Sequence, residues 1–278
     1  MRLVCYVLLA GLITAVAPGC VRTFTERDAF APRPVAFWPE GVRIEPVTFP
    51  AERDVTLRGW LVTPLDASDP PLVLYFYGRE MTVMAAGRFL TRLARETQAR
   101  VLCMDYRGYG FSEGEPTFDA VQHDVLKTYD ELLPRVNPSG RAVFAFGYSL
   151  GTTVATYLAS ERPLAGVVLQ GAITSVDDFA EHLTATIGLS LMRFEPTGAI
   201  GQREQPISRI RRVQAPLLVI QGDRDRVTPP RFGRAMFEAS PAAEKALIEI
   251  PGGEHEGLWS RPDAPWDALR AFIGRHAT

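Results

Sequence analysis

The chain has 278 residues, of which 46% are hydrophobic, and its 30 lysines and arginines nearly balance its 32 aspartates and glutamates. This composition is typical of a globular protein and excludes the disordered and fibrous classes. The net charge of −2, without any basic run, excludes a general attraction for nucleic acid or anionic lipid. The length suits one α/β domain of about 200–250 residues.

The first twenty residues have the pattern of an export signal. Arg2 precedes an apolar run over residues 3–17, and Pro18-Gly19-Cys20 follows. This pattern predicts a secretory signal peptide over residues 1–19, shorter than the roughly 20 apolar residues of a membrane-spanning helix. Its end resembles a bacterial lipoprotein signal, which implies lipid on Cys20 and a membrane-anchored protein facing the periplasm or the cell exterior. Ordinary cleavage and an uncleaved anchor are the alternatives.

The next segment, residues 20–40, holds several prolines and few periodic apolar positions. We interpret it as a tether between the anchor and the domain. Phe37 and Trp38 favour the alternative, packing against the sheet edge, for its last residues. The domain is therefore expected over residues 41–278.

Short apolar runs alternate with helical patterns through the rest of the chain. Unbroken apolar runs are typical of strands buried on both faces of a parallel sheet. Strands are predicted over residues 55–62, 72–77, 101–104, 142–146, 167–170, 216–221 and 246–250. Helices are predicted over residues 81–98, 118–133, 150–160 and 266–273, the second ending at Pro134. The alternation predicts an α/β fold with a mostly parallel central sheet, helices on both faces and ligands at the carboxyl ends of the strands.

A candidate nucleophile lies between a predicted strand and a predicted helix. Residues 147–151 read Gly-Tyr-Ser-Leu-Gly, a Gly-x-Ser-x-Gly pattern. In this context the pattern predicts a nucleophile elbow, a tight turn that projects the hydroxyl of Ser149 above the sheet. The helix that begins at Leu150 points its positive dipole end at any charge developing on a substrate oxygen. The alternative is that Ser149 only caps this helix.

A serine hydroxyl needs a base, and the base needs an acid that orients it. Among the four histidines we assign the base to His255, because it lies in a glycine-rich loop directly after the last predicted strand. The turn after the strand at 216–221 contains Asp223 and Asp225, and either could orient the imidazole. Both could instead only shape the turn. The order serine, aspartate, histidine is that of the α/β-hydrolases.

Four segments resemble the α/β-hydrolase superfamily of serine hydrolases, in the branch that includes the ABHD and Bem46-like proteins. They are residues 105–114 (Asp-Tyr-Arg-Gly-Tyr-Gly-Phe-Ser-Glu-Gly), 147–151, 222–227 and the Gly-Gly-x-His sequence that ends at His255. The resemblance spans about residues 45–275. It assigns the acid to Asp225.

The same resemblance places an oxyanion hole in the turn after the strand at 72–77. It implies that the backbone N–H groups of Arg79 and Leu150 form the hole. Tyr77 stands where the family has histidine, and Arg79 where it has asparagine. The implied activity is cleavage of an ester or thioester through an acyl-enzyme on Ser149. An aminopeptidase or amidase, and a non-catalytic binding protein that keeps the fold, are the alternatives.

About 45 residues separate the strand that ends at Gln170 from the next, which predicts a small helical excursion. Residues 175–178 have the pattern of a capping box that opens a helix. Most of the apolar residues that follow are expected to pack this excursion onto the sheet. The alternative is that some of them line a pocket for a small-molecule substrate, an ester or thioester of a modest acyl group. No metal cluster, phosphate loop or dinucleotide fingerprint occurs in the sequence, so no metal and no cofactor is expected.

Overall fold

The structure is a computed structural model that describes residues 21–24, 40–186, 193–196 and 203–277, with the backbone alone for residues 21–24 and 193–196. The predicted signal peptide and Cys20 lie outside the described residues. Within the described ranges, no helix combines the length and the apolar character needed to span a membrane.

The strands of the described residues form a large sheet and a small one. Their bounds are β1 Val21–Phe24, β2 Val42–Glu52, β3 Val55–Pro64, β4 Leu72–Phe76, β5 Arg100–Met104, β6 Val143–Tyr148, β7 Gly166–Gln170, β8 Arg193–Pro196, β9 Leu217–Gly222 and β10 Lys245–Ile250. The large sheet has the order β10-β9-β7-β6-β4-β5-β3-β2. The strands from β10 to β5 are parallel, whereas β3 and β2 are antiparallel to their neighbours. The predicted mostly parallel α/β sheet is thus confirmed.

The small sheet pairs β1 with β8 in parallel. Strand β1 lies within the segment predicted as a tether, and β8 lies within the excursion after β7. This pairing does not test the predicted tether or its boundary with the domain. Both stay predictions.

The helices form two groups around the large sheet. Their bounds are α1 Val83–Thr97, α2 Phe118–Lys127, α3 Leu133–Val136, α4 Leu150–Glu161, α5 Val176–Thr186, α6 Pro206–Ile210, α7 Pro230–Ala239 and α8 Trp266–His276. Helix α1 packs against α8, while α4 packs against α2 and α6, and α6 against α7. The predicted start of α5 is confirmed, because the N–H of Asp178 donates to the hydroxyl of Ser175.

The predicted helix end at Pro134 is wrong. A π-helical turn covers Thr128–Leu132, and α3 follows it directly. Pro134 is the second residue of α3, where its missing N–H would have had no acceptor within that helix. Proline therefore marks a change of helical register here and not an end.

Strand β2 and helix α7 were not predicted from the sequence. Pro46 and Pro50 argue against a strand, but β2 lies at the edge of the sheet, where proline is tolerated. Helix α7 begins at Pro230 and contains Gly233, a poor helix former. Burial of Phe232 and Met236 against the sheet stabilises it instead.

Candidate active site

Ser149 lies in a strained turn between β6 and α4. Its backbone has φ 51° and ψ −119°, outside the regions that residues with side chains usually occupy. A Cβ on Gly151 would lie 2.0 Å from the carbonyl oxygen of Phe76, and one on Gly147 would lie 2.5 Å from the carbonyl oxygen of Gly151. Only glycine fits at either position, so both glycines of the motif are needed for the turn. The N–H of Ser149 donates to the carbonyl of Gln170, which ties the turn to β7.

Three strand ends bring the predicted serine, histidine and aspartate together. The Nε2 atom of His255 lies 3.0 Å from the Oγ atom of Ser149, and its Nδ1 atom lies 2.8 Å from the Oδ2 atom of Asp225. The side chain of His255 is 11% exposed and that of Asp225 is 1% exposed. The three side chains therefore form a continuous hydrogen-bonded row that is largely shielded from water.

Asp225 is surrounded by hydrogen-bond donors. Its Oδ1 atom accepts the N–H groups of Val227 and Thr228, each at 2.8 Å. Its Oδ2 atom accepts the hydroxyl of Thr228 at 2.9 Å and the amide of Gln221 at 3.2 Å. Burial raises the pKa of Asp225, but the hydrogen bond and charge of His255, with the donors of Thr228, outweigh burial and lower the pKa below its ordinary value.

The other aspartate of the turn has a different partner. The Oδ1 atom of Asp223 accepts the N–H of Gly252 at 2.6 Å, which joins the turn to the loop that carries His255. The two backbones also approach closely, since a Cβ on Gly222 would lie 2.4 Å from the carbonyl oxygen of Gly253. Asp223 thus shapes this junction, while Asp225 contacts the imidazole.

Two residues around His255 had no assigned role in the sequence analysis. The hydroxyl of Thr228 lies 3.1 Å from Nδ1 of His255 as well as bonding Asp225. The ring of Tyr148 lies 5.2 Å from the imidazole at 31°, and its hydroxyl donates to the carbonyl of His255 at 3.3 Å. Thr228 has a sequence signal, because an aspartate often binds N–H groups two and three residues ahead. Tyr148 occupies a variable position of the Gly-x-Ser-x-Gly motif, and such a position carries no sequence signal.

The turn predicted to form the oxyanion hole lies against the nucleophile. A Cβ on Gly78 would lie 3.2 Å from the Cβ of Ser149, so the backbone that precedes Arg79 touches the elbow. Leu150 is the first residue of α4, and the first N–H groups of a helix lack intrahelical acceptors. The side chain of Arg79 is exposed and pairs with Glu80 at 3.5 Å.

Tyr77, which replaces the histidine of the family pattern, has specific partners of its own. Its hydroxyl donates to the Oδ1 atom of Asp105 and accepts the N–H of Tyr106, both at 3.0 Å. The same Oδ1 atom accepts the N–H of Val83 at 2.7 Å. Asp105 therefore binds both ends of the segment that joins β4 to α1, at Tyr77 and at Val83. Burial raises the pKa of Asp105, and the N–H of Val83 and the hydroxyl of Tyr77 only partly oppose this rise.

Arg107 lies in an ion-pair network next to the site. Its guanidinium donates to both carboxylate oxygens of Asp124, at 2.7 and 2.5 Å, and to Glu52 at 3.0 Å. Glu52, His123 and Asp124 have potential metal-ligand atoms within 4.8 Å of one another. Since the guanidinium already binds both carboxylates, we ascribe this cluster to an ion-pair network.

Comparisons with known proteins show the family of this chain. Residues 71–191 match a family model described as the alpha/beta hydrolase fold, and residues 199–260 match one described as Serine aminopeptidase, S33. The Mycobacterium tuberculosis protein Rv2307c is 30% identical over 244 residues, which cover 81% of this chain and 80% of that protein. The chain belongs to the α/β-hydrolase superfamily.

Two further similarities place this α/β-hydrolase among its relatives. The lysophosphatidylserine lipase ABHD12 of Rattus norvegicus is 26% identical over 230 residues, covering 75% of this chain but spanning only 57% of the rat protein. The Pyrococcus furiosus esterase Pf2001 superposes with a TM-score of 0.72 at 18% identity, covering 90% of this chain and 98% of the esterase. The second similarity shows the common fold.

Proposed function

We propose that this α/β-hydrolase is a serine hydrolase that cleaves an ester or thioester through an acyl-enzyme on Ser149. The observation that carries the proposal is the hydrogen-bonded row from the Oγ atom of Ser149, through both ring nitrogens of His255, to Asp225. A nucleophile, a base and an orienting acid in this order are what acyl transfer needs.

In each half of the proposed reaction, His255 first accepts a proton and then donates it. Its Nε2 atom takes the proton of the Ser149 hydroxyl as Oγ attacks the carbonyl carbon. It then donates that proton to the departing alcohol or thiol, leaving the acyl group on Ser149. Water then attacks the acyl carbon while His255 takes its proton. The bond from the acyl carbon to Oγ breaks, His255 returns that proton to Oγ of Ser149, and the carboxylic acid leaves. Asp225 holds the Nδ1–H and stabilises the imidazolium, and its lowered pKa keeps it ionised for that task.

The negative oxygen of the tetrahedral intermediate needs donors. We assign this role to the backbone N–H groups of Arg79 and Leu150, on the contact between Gly78 and Ser149 and on the position of Leu150 at the start of α4. Loss of one such donor typically costs about 10²–10³ in rate. The hydrogen bonds of Asp105 to Tyr77 and Val83 support a fixed turn without the histidine of the family pattern.

An aminopeptidase is the second candidate, because residues 199–260 match the serine aminopeptidase model. The two are separated by comparing kcat/KM on p-nitrophenyl esters and on aminoacyl-anilides, with the Ser149→Ala protein as the blank. We expect ester turnover that depends on Ser149 and far exceeds anilide turnover. A higher kcat/KM on the anilides would favour the peptidase, and turnover on neither set would favour the binding protein.

Membrane anchoring is a separate proposal, which rests on the sequence of residues 1–20. We propose that the mature chain begins at Cys20 and carries lipid there. The mass of the intact protein after detergent extraction of membranes tests this, with Cys20→Ala as the control. A soluble product without lipid would contradict it.

A further inference from the structure

A groove of about 410 Å³ opens beside the turn that touches Ser149. This volume lies in the usual range of ligand pockets, about 300–1,000 Å³. Segments of β2, β3, the start of α1 and the loop after β5 form its walls. Its lining includes Val47, Arg58, Trp60, Met84, Asp105 and Phe111.

The surface of this groove is mainly apolar. Val47, Trp60 and Met84 are half-buried along it. Phe111 is 67% exposed, which makes it one of three large hydrophobic residues that stay exposed in the described part of the chain. A single exposed apolar residue is ordinary, but an exposed phenylalanine beside a groove with apolar walls indicates an apolar ligand.

The charged groups of the groove already have partners. The guanidinium of Arg58 donates to the carbonyl of Phe111 at 2.7 Å and pairs with Glu113 at 3.3 Å. Asp105 accepts the hydroxyl of Tyr77 and the N–H of Val83. The groove therefore offers hydrocarbon contact and no unpartnered charge from these two residues, so a hydrocarbon chain fits it better than a charged headgroup.

The position of the groove sets the length of that chain. Ser149 follows β6, and Gly59 of the groove lies on β3, three strands away in the order β6-β4-β5-β3. With neighbouring strands about 4.8 Å apart, the separation is roughly 14 Å for Gly59 and roughly 10 Å for Asp105, which follows β5 and also lines the groove. Thr82 and Val83 of the groove directly follow residues 77–81, which continue from β4, the strand between β6 and β5. A short acyl group bound to Ser149 would end before the groove.

We propose that this groove binds the distal part of the substrate's acyl chain, which makes the protein a hydrolase of medium- and long-chain acyl esters. The proposal rests on the acyl-enzyme function proposed above. It names a substrate class that the modest acyl group expected from the sequence does not include.

The test measures kcat/KM on p-nitrophenyl acetate, butyrate, octanoate and decanoate. For the wild type we expect a rise from acetate to decanoate. Phe111→Ser should lower kcat/KM on decanoate about five- to tenfold, through lost apolar contact, and change acetate less than about twofold. Met84→Trp, which fills the groove, should lower the ratio of decanoate to acetate about tenfold.

Leu65→Ser is the matched control. Leu65 is 64% exposed, nearly as much as Phe111. It follows the end of β3 that pairs with the start of β5, so it lies at the opposite end of the strands from Ser149. An equal loss on decanoate in Leu65→Ser and Phe111→Ser, or an unchanged chain-length profile in Met84→Trp, would overturn the groove proposal.

A binding measurement separates failure of the groove from failure of the proposed function. Calorimetric titration of the Ser149→Ala protein with sodium decanoate needs no turnover, and adding Phe111→Ser should weaken binding about five- to tenfold. Equal affinity in the two proteins would overturn the groove proposal whatever the esterase panel shows. Weaker binding without turnover in the wild type would leave the groove in place and reject the esterase.

Discussion

Two buried aspartates at the carboxyl ends of the parallel strands have pKa values shifted in opposite directions. Asp105 follows β5 directly and Asp225 lies just beyond β9, and each residue is 4% exposed. The pKa of Asp105 is raised by burial, whereas that of Asp225 is lowered despite burial. Equal exposure therefore does not explain the difference.

The difference lies in the hydrogen-bond partners. Asp225 contacts the imidazole of His255, which can carry a positive charge. Asp105 contacts a phenol and backbone N–H groups, which donate hydrogen bonds but cannot become cations. The first arrangement suits proton transfer, and the second suits a fixed turn. An aspartate at a strand end is thus assigned a role by its partner and not by its burial.

The largest expected effect comes from the aspartate beside the histidine. Asp225→Asn should lower kcat by up to about 10⁴ while the fold persists, because the amide favours the wrong imidazole tautomer. Asp105→Asn is the matched control and should retain far more activity. Steady-state kinetics and circular dichroism on both proteins check this, and near-normal turnover in Asp225→Asn would move the acid elsewhere.

Tyr77→Phe tests whether Asp105 acts through the turn. The substitution leaves the N–H of Tyr106 without its hydroxyl acceptor and removes one donor from Asp105. We expect kcat to fall about 10- to 100-fold with little change in KM, less than the roughly 10²–10³ lost with a whole oxyanion donor, because the turn is displaced and its N–H is not removed. The free energy of unfolding should fall by about 1–3 kcal/mol.

Two measurements check this second prediction. Stopped-assay kinetics give kcat and KM separately, and urea unfolding gives the stability. Tyr77→His, which restores a hydrogen-bonding ring, should recover part of the rate. An unchanged kcat in Tyr77→Phe would show that the turn does not depend on this hydroxyl.

Thr228→Val, which changes the surroundings of Asp225, should lower kcat by a smaller factor. It removes the hydroxyl that donates to Asp225 but keeps the backbone N–H bond. We expect kcat to fall about tenfold, the size of one lost hydrogen bond to a charged group. Thr228→Ser should restore the rate, and its failure to do so would assign the loss to packing.

The smallest effect is a difference in the pH dependence of stability. The lowered pKa of Asp225 contributes stability that is present above its ordinary value of 3.8 and is lost as the pH falls through the folded-state pKa. The raised pKa of Asp105 contributes stability that is present below 3.8 and is lost as the pH rises through the folded-state pKa.

Urea unfolding at several values between pH 3 and pH 7 compares wild type, Asp225→Asn and Asp105→Asn. The free energy of unfolding of the wild type, relative to that of Asp225→Asn, should rise with pH, and relative to that of Asp105→Asn it should fall. Slopes of the same sign would contradict the assignment of the two carboxylates.

The sequence predicted those features that depend on short-range pattern. Unbroken apolar runs located the strands of the parallel sheet, and the Gly-x-Ser-x-Gly motif located the elbow, because its glycines are fixed by contacts within the motif and with β4. The assignment of His255 relied on its place in a glycine-rich loop directly after the last predicted strand, and the structure brings it to Ser149.

The features that the sequence did not reveal depend on partners distant in the chain. Tyr77 departs from the family pattern, and only the structure shows its hydroxyl on Asp105, 28 residues away. The ring of Tyr148 contacts an imidazole that lies 107 residues later in the chain. The prolines of β2 argued against a strand in the sequence. They are tolerated only because β2 is an edge strand of the sheet. Side-chain pairing and edge position follow from the assembled sheet and carry no local pattern.

The central claim is that Ser149 is a nucleophile activated by His255, and covalent labelling tests it most directly. The wild type, Ser149→Ala and His255→Ala proteins would be treated with a fluorophosphonate probe, and the modified peptide identified by mass spectrometry. The structure predicts a single adduct on Ser149 in the wild type, none in Ser149→Ala and strongly slowed labelling in His255→Ala. An unlabelled wild type, or equal labelling of wild type and Ser149→Ala, would contradict the claim.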